Sequence, residues 1–289
     1  MSDSAAPLSG LNWLHADVFC DAPLTGNGLC VFLPQQELSA AAMLALTQEM
    51  RQFESIFLSE VAEGAARARI FTLEEELDFA GHPLLGAAAV LHHAAGAGER
   101  HHVTFRLTAR EVAVATRRRA ERFFDAEMAQ GPAVWGGEAE GAPRAAVISA
   151  LGLQEGDLVP GLPLAAVSTG LDYLIVPVTS AGLARAAIRV DDFEARLAAL
   201  GAKFVYVLDP EAREGRTWDN LGAVEDVATG SAAGPAGAYL HRYCNAPAAM
   251  TLHQGRFAGR PSRLSVTLDK GGNVTVGGGV SVLAEGRFF

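Results

Sequence analysis

The sequence predicts an α+β protein of two similar domains, on three observations. Residues 79–91 align without gaps on residues 228–240, with Gly81 on Gly230 and Leu91 on Leu240. Alternating apolar and charged residues predict antiparallel strands over 103–129, whereas Ala, Met and Leu at helical spacing predict a helix over 39–51. The chain has 289 residues, of which 49% are hydrophobic, and this length suffices for two medium domains with their own cores.

The internal alignment has an offset of 149 residues, about half of the chain. Its four identities among thirteen positions lie in segments rich in Ala and Gly, so chance similarity and an ancient duplication both explain them. A duplication predicts two domains whose helix N-termini point into one cleft. We place the first domain at 1–130 and the second at 131–277, joined by a Gly/Pro/Glu-rich link over 131–143.

The segment Asp226–Leu240 is typical of a tight glycine turn that opens into a helix of small residues. We expect Gly230 to permit the turn, Ser231 to cap the helix, and Pro235 to be tolerated near the first turn. The first amides of a helix lack intrahelical partners and carry the positive end of the helix dipole. Both turn segments, at Gly81 and Gly230, therefore predict a site for a phosphate or a carboxylate.

Glu54 is the candidate proton carrier. In an extended run over 53–59, Glu54 shares one face with Ile56 and Leu58, and the other face is no more polar. Burial among apolar groups raises the pKa of a carboxyl unless a partner pairs with it, which makes a carboxylate a useful base near neutral pH. The alternative is an acid at a strand end that points to solvent.

His82 and Asn27 are further candidates, each with a plainer alternative. A His beside Gly81 at a helix N-terminus stays neutral because of the helix dipole and can donate a hydrogen bond or carry a proton; otherwise it only caps the helix. Asn27, between two glycines, either contacts a ligand or forms a plain turn with positive φ.

Composition excludes several classes of function. The net charge of −10 disfavours nucleic-acid and anionic-membrane partners, and the run Arg117–Arg119 is typical of a solvated strand edge. The N-terminus does not resemble a signal peptide, and no run of eighteen apolar residues occurs, so we expect a cytoplasmic protein.

Three cysteines without metal spacing predict reduced thiols, and the adjacent pairs His92-His93 and His101-His102 are poorly arranged for a metal.

Several motifs together resemble the PhzF-like family, named for the phenazine-biosynthesis isomerase, which shares the diaminopimelate epimerase fold. They occur in family order: Asp17-Val18-Phe19, Gly26-Asn27, Glu54-Ser55, Gly81-His82-Pro83, Glu225 to Gly234, and Gly259 to Arg263. The resemblance implies that each domain is a mostly antiparallel, barrel-like sheet around a central helix. It also implies a homodimer, and a C-terminal strand, about 278–289, that returns to the first domain.

The resemblance also implies the chemistry. Diaminopimelate epimerases and proline racemases carry a cysteine before each turn glycine, whereas this chain has Ala80 and Thr229 there. In the PhzF-like family a glutamate matching Glu54 moves the proton without a cofactor. We therefore expect no cofactor and no metal, and a small carboxylate as the substrate. The expected catalytic residues are Glu54, His82, Asp226 and Ser231, and the expected substrate-binding residues are Asn27, Gly81, Thr229 and Gly230.

The chain departs from the family pattern at Phe53, where the family usually has Ser, and at Val227, where it usually has Pro. The first departure removes a hydroxyl beside Glu54 and puts the identity of the substrate in doubt. Three functions remain open: an isomerase, with trans-2,3-dihydro-3-hydroxyanthranilate as one candidate substrate; an epimerase of an amino or hydroxy acid; and a catalytically silent small-acid binding protein.

Overall fold

The computed structural model describes residues 8–289. Of these, the residues up to Met128 together with Gly277–Phe289 form one compact unit, and Ala129–Val276 form a second. Two strands, β8 and β16, contribute residues to both units. The expectation about a signal peptide concerns in part residues 1–7, which lie outside the described residues.

The first unit is a sheet that surrounds a helix. Its helices are α1 (Ala40–Met50) and α2 (Gly81–Ala95). Its strands are β1 (Asn12–Val18), β2 (Asn27–Leu33), β3 (Glu54–Ala62), β4 (Ala65–Thr72), β5 (Glu76–Leu77), β6 (Arg100–Arg106), β7 (Glu111–Ala120), β8 (Phe123–Pro132) and the end of β16 (Asn273–Arg287). In the described part of the chain these strands run in the order β1-β2-β3-β4-β6-β7-β8-β16, and β16 pairs with β1, which closes the ring.

Helix α2 lies inside this ring and contacts β1, β2, β3, β6 and β7. Its twelve residues from Gly81 to His92 are buried, and five of them are Gly or Ala, which lets neighbouring strands approach the helix closely. Helix α1 covers the outer side of β3 and β4 over a core that includes Phe32, Phe57 and Phe71. The predicted N-cap of α1 is confirmed, since the Ser39 side chain accepts a hydrogen bond from the amide of Ala42.

The second unit repeats the plan. Its helices are α3 (Gly141–Ala150), α4 (Ser180–Arg185), α5 (Phe193–Ala198) and α6 (Gly230–Cys244), with a 3-10 turn at Glu155–Asp157. Its strands are β9 (Val134–Glu138), β10 (Ala165–Ser168), β11 (Asp172–Pro177), β12 (Phe204–Asp209), β13 (Glu214–Arg216), β14 (Ala249–Gln254), β15 (Ser262–Leu268) and the start of β16. They run in the order β16-β15-β14-β13-β12-β11-β10-β9, with parallel pairs at β11–β12 and β13–β14.

Helix α6 occupies the position in this unit that α2 occupies in the first, and contacts β10, β11, β12, β14 and β15. The opposite face of β11 and β12 packs against α3, α4 and α5 through Val176, Val207 and Phe193. Side chains on alternate faces of the strands therefore build two layers of core. The predicted α+β class, with a mostly antiparallel sheet around a central helix in each domain, is confirmed.

The predicted link over 131–143 is wrong. Strand β8 continues to Pro132, β9 pairs with β10, and α3 begins at Gly141. Gly136 is needed there for packing, because a Cβ on it would lie 2.8 Å from the Cβ of Ala166 on the neighbouring strand. The expected return of the C-terminal strand to the first domain is confirmed, since β16 pairs with β1 from Val280 to Arg287, and Gly279 lets this strand approach the backbone of Cys20.

Among residues 8–289, no helix is both long enough and apolar enough to cross a bilayer.

Replacing Gly237 by Ala should destabilise the protein. In a helix interior this change usually stabilises by about 1 kcal/mol. Here the new Cβ would lie 2.5 Å from Cγ1 of Val266 on β15, so overpacking should reverse the sign and cost about 1–3 kcal/mol. Urea unfolding of the variant measures the change. The matched control is Gly156→Ala, whose Cβ meets no atom within 4 Å, and a Gly237→Ala protein as stable as this control would contradict the packing argument.

Candidate functional site

Glu54 is a buried acid at the first position of β3. Its residue is 7% exposed, and its backbone pairs with Leu29 on β2 and Thr72 on β4. The alternative of a solvent-facing acid at a strand end is therefore wrong. The pairing on both sides fixes the backbone of Glu54, so its carboxyl is held in place from a rigid element.

His82 lies beside this carboxyl. It is the second residue of α2 and is 5% exposed, and its Nδ1 lies 3.1 Å from Oε2 of Glu54. The plain capping alternative is wrong, because the N-cap is Ala80 and no side chain caps the helix. The side chain of His82 therefore contacts Glu54 rather than capping the helix.

The imidazole of His82 is neutral, as the sequence predicts. Burial lowers the pKa of His82 to about 3, and a hydrogen bond with the backbone of Gly28 opposes the shift. The larger cause is thus burial, rather than the helix dipole that we expected. A neutral imidazole donates or accepts at Nδ1 according to its tautomer, so the Glu54–His82 pair can hold one proton between the two groups.

Asn27 and Gly81 belong to the same unit. Asn27 is 2% exposed and begins β2, where it pairs with Val18. The plain-turn alternative is wrong for Asn27, because the left-handed φ of +73° belongs to Gly26. Gly81 is the first residue of α2, so its amide precedes the intrahelical hydrogen bonds.

The second unit holds the other four predicted residues around the start of α6. Asp226 is 8% exposed, and its Oδ2 accepts a short hydrogen bond from the hydroxyl of Thr229. The N-cap residue is Thr229, not Ser231 as expected, and its side chain makes no capping bond. Ser231 is already in the helix, and its hydroxyl lies 2.8 Å from that of Tyr173.

The amides at this helix start differ in what they can bind. The intrahelical bonds begin at Ala232 and Ala233, which both donate to the carbonyl of Thr229. The amide of Thr229 itself donates to Oε1 of Gln254 at 3.2 Å. The amides of Gly230 and Ser231 are thus the ones suited to an anion, whereas that of Thr229 is engaged within the protein.

Two glutamines that the sequence analysis missed hold this turn. Gln254 at the end of β14 bonds the Asp226 carbonyl and Thr229, and Gln130 Nε2 donates to the carbonyl of Gly230 at 2.9 Å. A signal was available for both, because each is the polar last member of an inward-facing alternation. Met250 and Leu252 precede Gln254 on its face, as Phe124, Ala126 and Met128 precede Gln130.

The cysteines and His92 lie in the protein interior as structural residues. Burial raises the pKa of Cys20 and of Cys30 to about 12, so neither thiol is a base at neutral pH. Both ring nitrogens of His92 contact protein oxygens, from Thr116 and Gly98. Within residues 8–289 no cluster of three or more metal-ligating side chains occurs.

The burial of His82 has a consequence for stability that can be measured. Its native pKa is about 3 and its unfolded pKa is about 6.5, so between these values the unfolded chain binds more protons. This contribution to stability is therefore complete above pH 6.5 and is lost as the pH falls, by about 2 kcal/mol between pH 7.5 and pH 5.

Urea unfolding at both pH values should therefore show a smaller acid-induced loss in His82→Gln than in the parent, by about 2 kcal/mol. The exposed His102→Gln variant is the matched control. An equal loss in the parent and in His82→Gln would show that His82 is not buried in its neutral form.

Comparisons with known proteins agree with this arrangement of elements. The family model described as phenazine biosynthesis-like protein matches residues 16–286. Isomerase YddE of Salmonella typhimurium is 32% identical, over 93% of this chain and 95% of that protein. Trans-2,3-dihydro-3-hydroxyanthranilate isomerase of Pseudomonas aeruginosa is also 32% identical, over 94% of this chain and 97% of that protein.

Among solved structures, one named as a predicted epimerase from Pseudomonas aeruginosa is 52% identical, with a TM-score of 0.91, and covers 96% of this chain and 99% of that one. The chain therefore belongs to the phenazine biosynthesis-like family, PhzC-PhzF, as one of its isomerases.

Proposed function

We propose that the protein is a cofactor-independent isomerase that moves a proton between two carbons of a small carboxylate, with Glu54 as the general acid and base. The observation that carries the proposal is the Glu54–His82 pair. A carboxyl that is 7% exposed lies 3.1 Å from a ring nitrogen of a neutral, buried imidazole. Such a pair stores a proton away from bulk water, as a carbon acid requires.

The proton transfer balances within the substrate. Glu54 removes a proton from an activated carbon, and the electron pair of that C–H bond spreads through the conjugated system toward the carboxylate. The proton is then returned to a different carbon, a double bond has moved, and Glu54 is a carboxylate again. His82 steadies the proton on Glu54 through its Nδ1.

Each unit offers helix-start amides to a carboxylate. In the first unit Gly81 begins α2, and in the second unit Gly230 and Ser231 begin α6; at each start the helix dipole favours a negative charge. Asn27 adds a buried amide side chain beside Gly28. Asp226 and the Ser231 hydroxyl assist the transfer, and Thr229 contributes through its bond to Asp226 rather than through its amide.

Two candidate reactions have support from relatives. The dihydrohydroxyanthranilate isomerase at 32% identity favours trans-2,3-dihydro-3-hydroxyanthranilate, a cyclic amino acid with conjugated double bonds. The structure at 52% identity is named as a predicted epimerase, which favours inversion of one carbon instead. Both reactions begin with the same removal of a C–H proton, so the same residue carries either one.

Replacing Glu54 by Gln should abolish proton exchange while the fold and the binding of the acid persist. The amide keeps the size of the side chain but cannot accept the proton, so we expect at least about a 10³-fold loss of exchange rate. Exchange is measured by NMR in deuterated water over a panel of small acids that includes trans-2,3-dihydro-3-hydroxyanthranilate. The matched control is Glu60→Gln, at the exposed end of the same strand, which should retain the parent rate.

An unchanged exchange rate in Glu54→Gln would remove Glu54 from the mechanism. Absence of exchange by the parent protein for every acid, together with measurable binding, would instead favour a silent binding protein.

The position of the deuterium separates the two reactions. An isomerase places deuterium on a carbon different from the one that lost the proton, and moves a double bond. An epimerase returns deuterium to the same carbon with inverted configuration. For this protein we expect the first result, by NMR assignment of the product together with chiral chromatography. Deuterium only at the original carbon of a racemising substrate would establish the epimerase.

A further inference from the structure

The side-chain amide of Gln254 uses all of its hydrogen-bonding capacity within the second unit. It is 1% exposed, and its amide makes four hydrogen bonds. Nε2 donates to the Asp226 carbonyl at 2.9 Å and to Oγ1 of Thr229 at 2.9 Å. Oε1 accepts from the Thr229 amide at 3.2 Å and from the Tyr206 hydroxyl at 3.3 Å. An amide side chain has two N–H donors and two acceptor lone pairs, so none of its capacity is left over.

The orientation of this amide is fixed by its backbone partners. The Thr229 backbone N–H can only donate, so it must face Oε1, and the Asp226 carbonyl can only accept, so it must face Nε2. A flipped amide would set two donors against each other and two acceptors against each other. Burial raises the pKa of Tyr206, so its hydroxyl remains a donor to Oε1.

This orientation decides where the hydroxyl proton of Thr229 points. Because Nε2 of Gln254 donates to Oγ1, the single hydroxyl proton of Thr229 is free to donate elsewhere, and it donates to Oδ2 of Asp226. Oδ2 is thereby held as an acceptor. The hydroxyl is also kept away from the α6 amides, which an N-cap threonine would normally bond.

We infer that Gln254 is a positioning residue of the reaction, which acts through Thr229 to hold the Asp226 carboxylate in place with Oδ2 as a hydrogen-bond acceptor, and to leave the first amides of α6 for the substrate carboxylate. The inference rests on the proposed function for the part that Asp226 plays in the transfer. It does not rest on that function for the arrangement of hydrogen bonds, and the two parts can be tested separately.

The first test is a double-mutant cycle on the acid that the deuterium screen identifies. Gln254→Leu and Thr229→Val should each lower kcat for exchange by about 10- to 100-fold, with KM within about threefold. Because both changes remove the same directed proton, the double variant should be no more than about threefold slower than the slower single variant. Losses that multiply in the double variant would overturn the inference, since they would show two independent structural effects.

Three further variants serve as controls for the double-mutant cycle. Gln254→Glu keeps the size and the acceptor of Gln254 but offers a second acceptor for the Thr229 proton, so it should be impaired even where Gln254→Leu fails to fold. Thr229→Ser retains the hydroxyl and should restore activity to within about threefold of the parent. Tyr206→Phe removes one bond to Gln254 without touching its two donated bonds, and should also remain within about threefold. A Gln254→Glu protein as active as the parent would overturn the inference.

The second test needs no substrate. In a crystal structure of Gln254→Leu, the Thr229 side chain should rotate, so that Oγ1 leaves Asp226 and accepts a hydrogen bond from the amides at the start of α6. A Thr229 hydroxyl that stays on Asp226 would overturn the inference. Absence of proton exchange by the parent protein would overturn the proposed function alone, because the rotation of Thr229 is observed without it.

Discussion

A helix enclosed by a sheet has little room for side chains where it lies against the strands, and this steric constraint shapes both units. Gly and Ala make up five of the twelve buried residues of α2 and seven of the ten of α6, and Gly86 and Gly237 approach strand side chains so closely that a Cβ would clash. The enclosure has a chemical consequence. Amides at the start of such a helix are withdrawn from water, so the positive end of its dipole acts in surroundings of low dielectric, where it binds an anion most strongly.

The same enclosure explains the pairing of Glu54 with His82. A carboxyl transferred from water to an apolar interior loses a large solvation free energy unless a polar partner replaces water. His82 provides that partner without adding a charge, because its own burial keeps the imidazole neutral. A charged partner would form an ion pair with Glu54, whereas the neutral imidazole contacts the carboxyl without one.

The parts of the fold that depend on local sequence pattern could be predicted from the sequence. The helix after Ser39, the strand pairs over 103–129 and the two small-residue helices all follow from periodicity and capping, and the apolar surroundings of Glu54 predict its burial. Gly136 misleads because a close approach between strands and a flexible turn select the same residue. Which of the two applies depends on Ala166, which is distant in the chain, and no local pattern shows it.

The start of α6 is a second place where local sequence pattern fails to predict the structure, and the hydrogen bonds there show why. A threonine at an N-cap normally stabilises its helix by roughly 1 kcal/mol through its side chain, and local reasoning assumes that it does. Here Thr229 gives up that bond, because Gln254 and Asp226 hold its hydroxyl. Ala80, at the matching position of α2, has no side chain that could cap.

Both helix starts thus lack a side-chain cap, and the buried carboxyl of the first unit lies at the start of β3 instead. In the proposed reaction the tasks within the first unit are divided: strand β3 holds the proton, and the uncapped start of α2 is left for the charge of a substrate carboxylate.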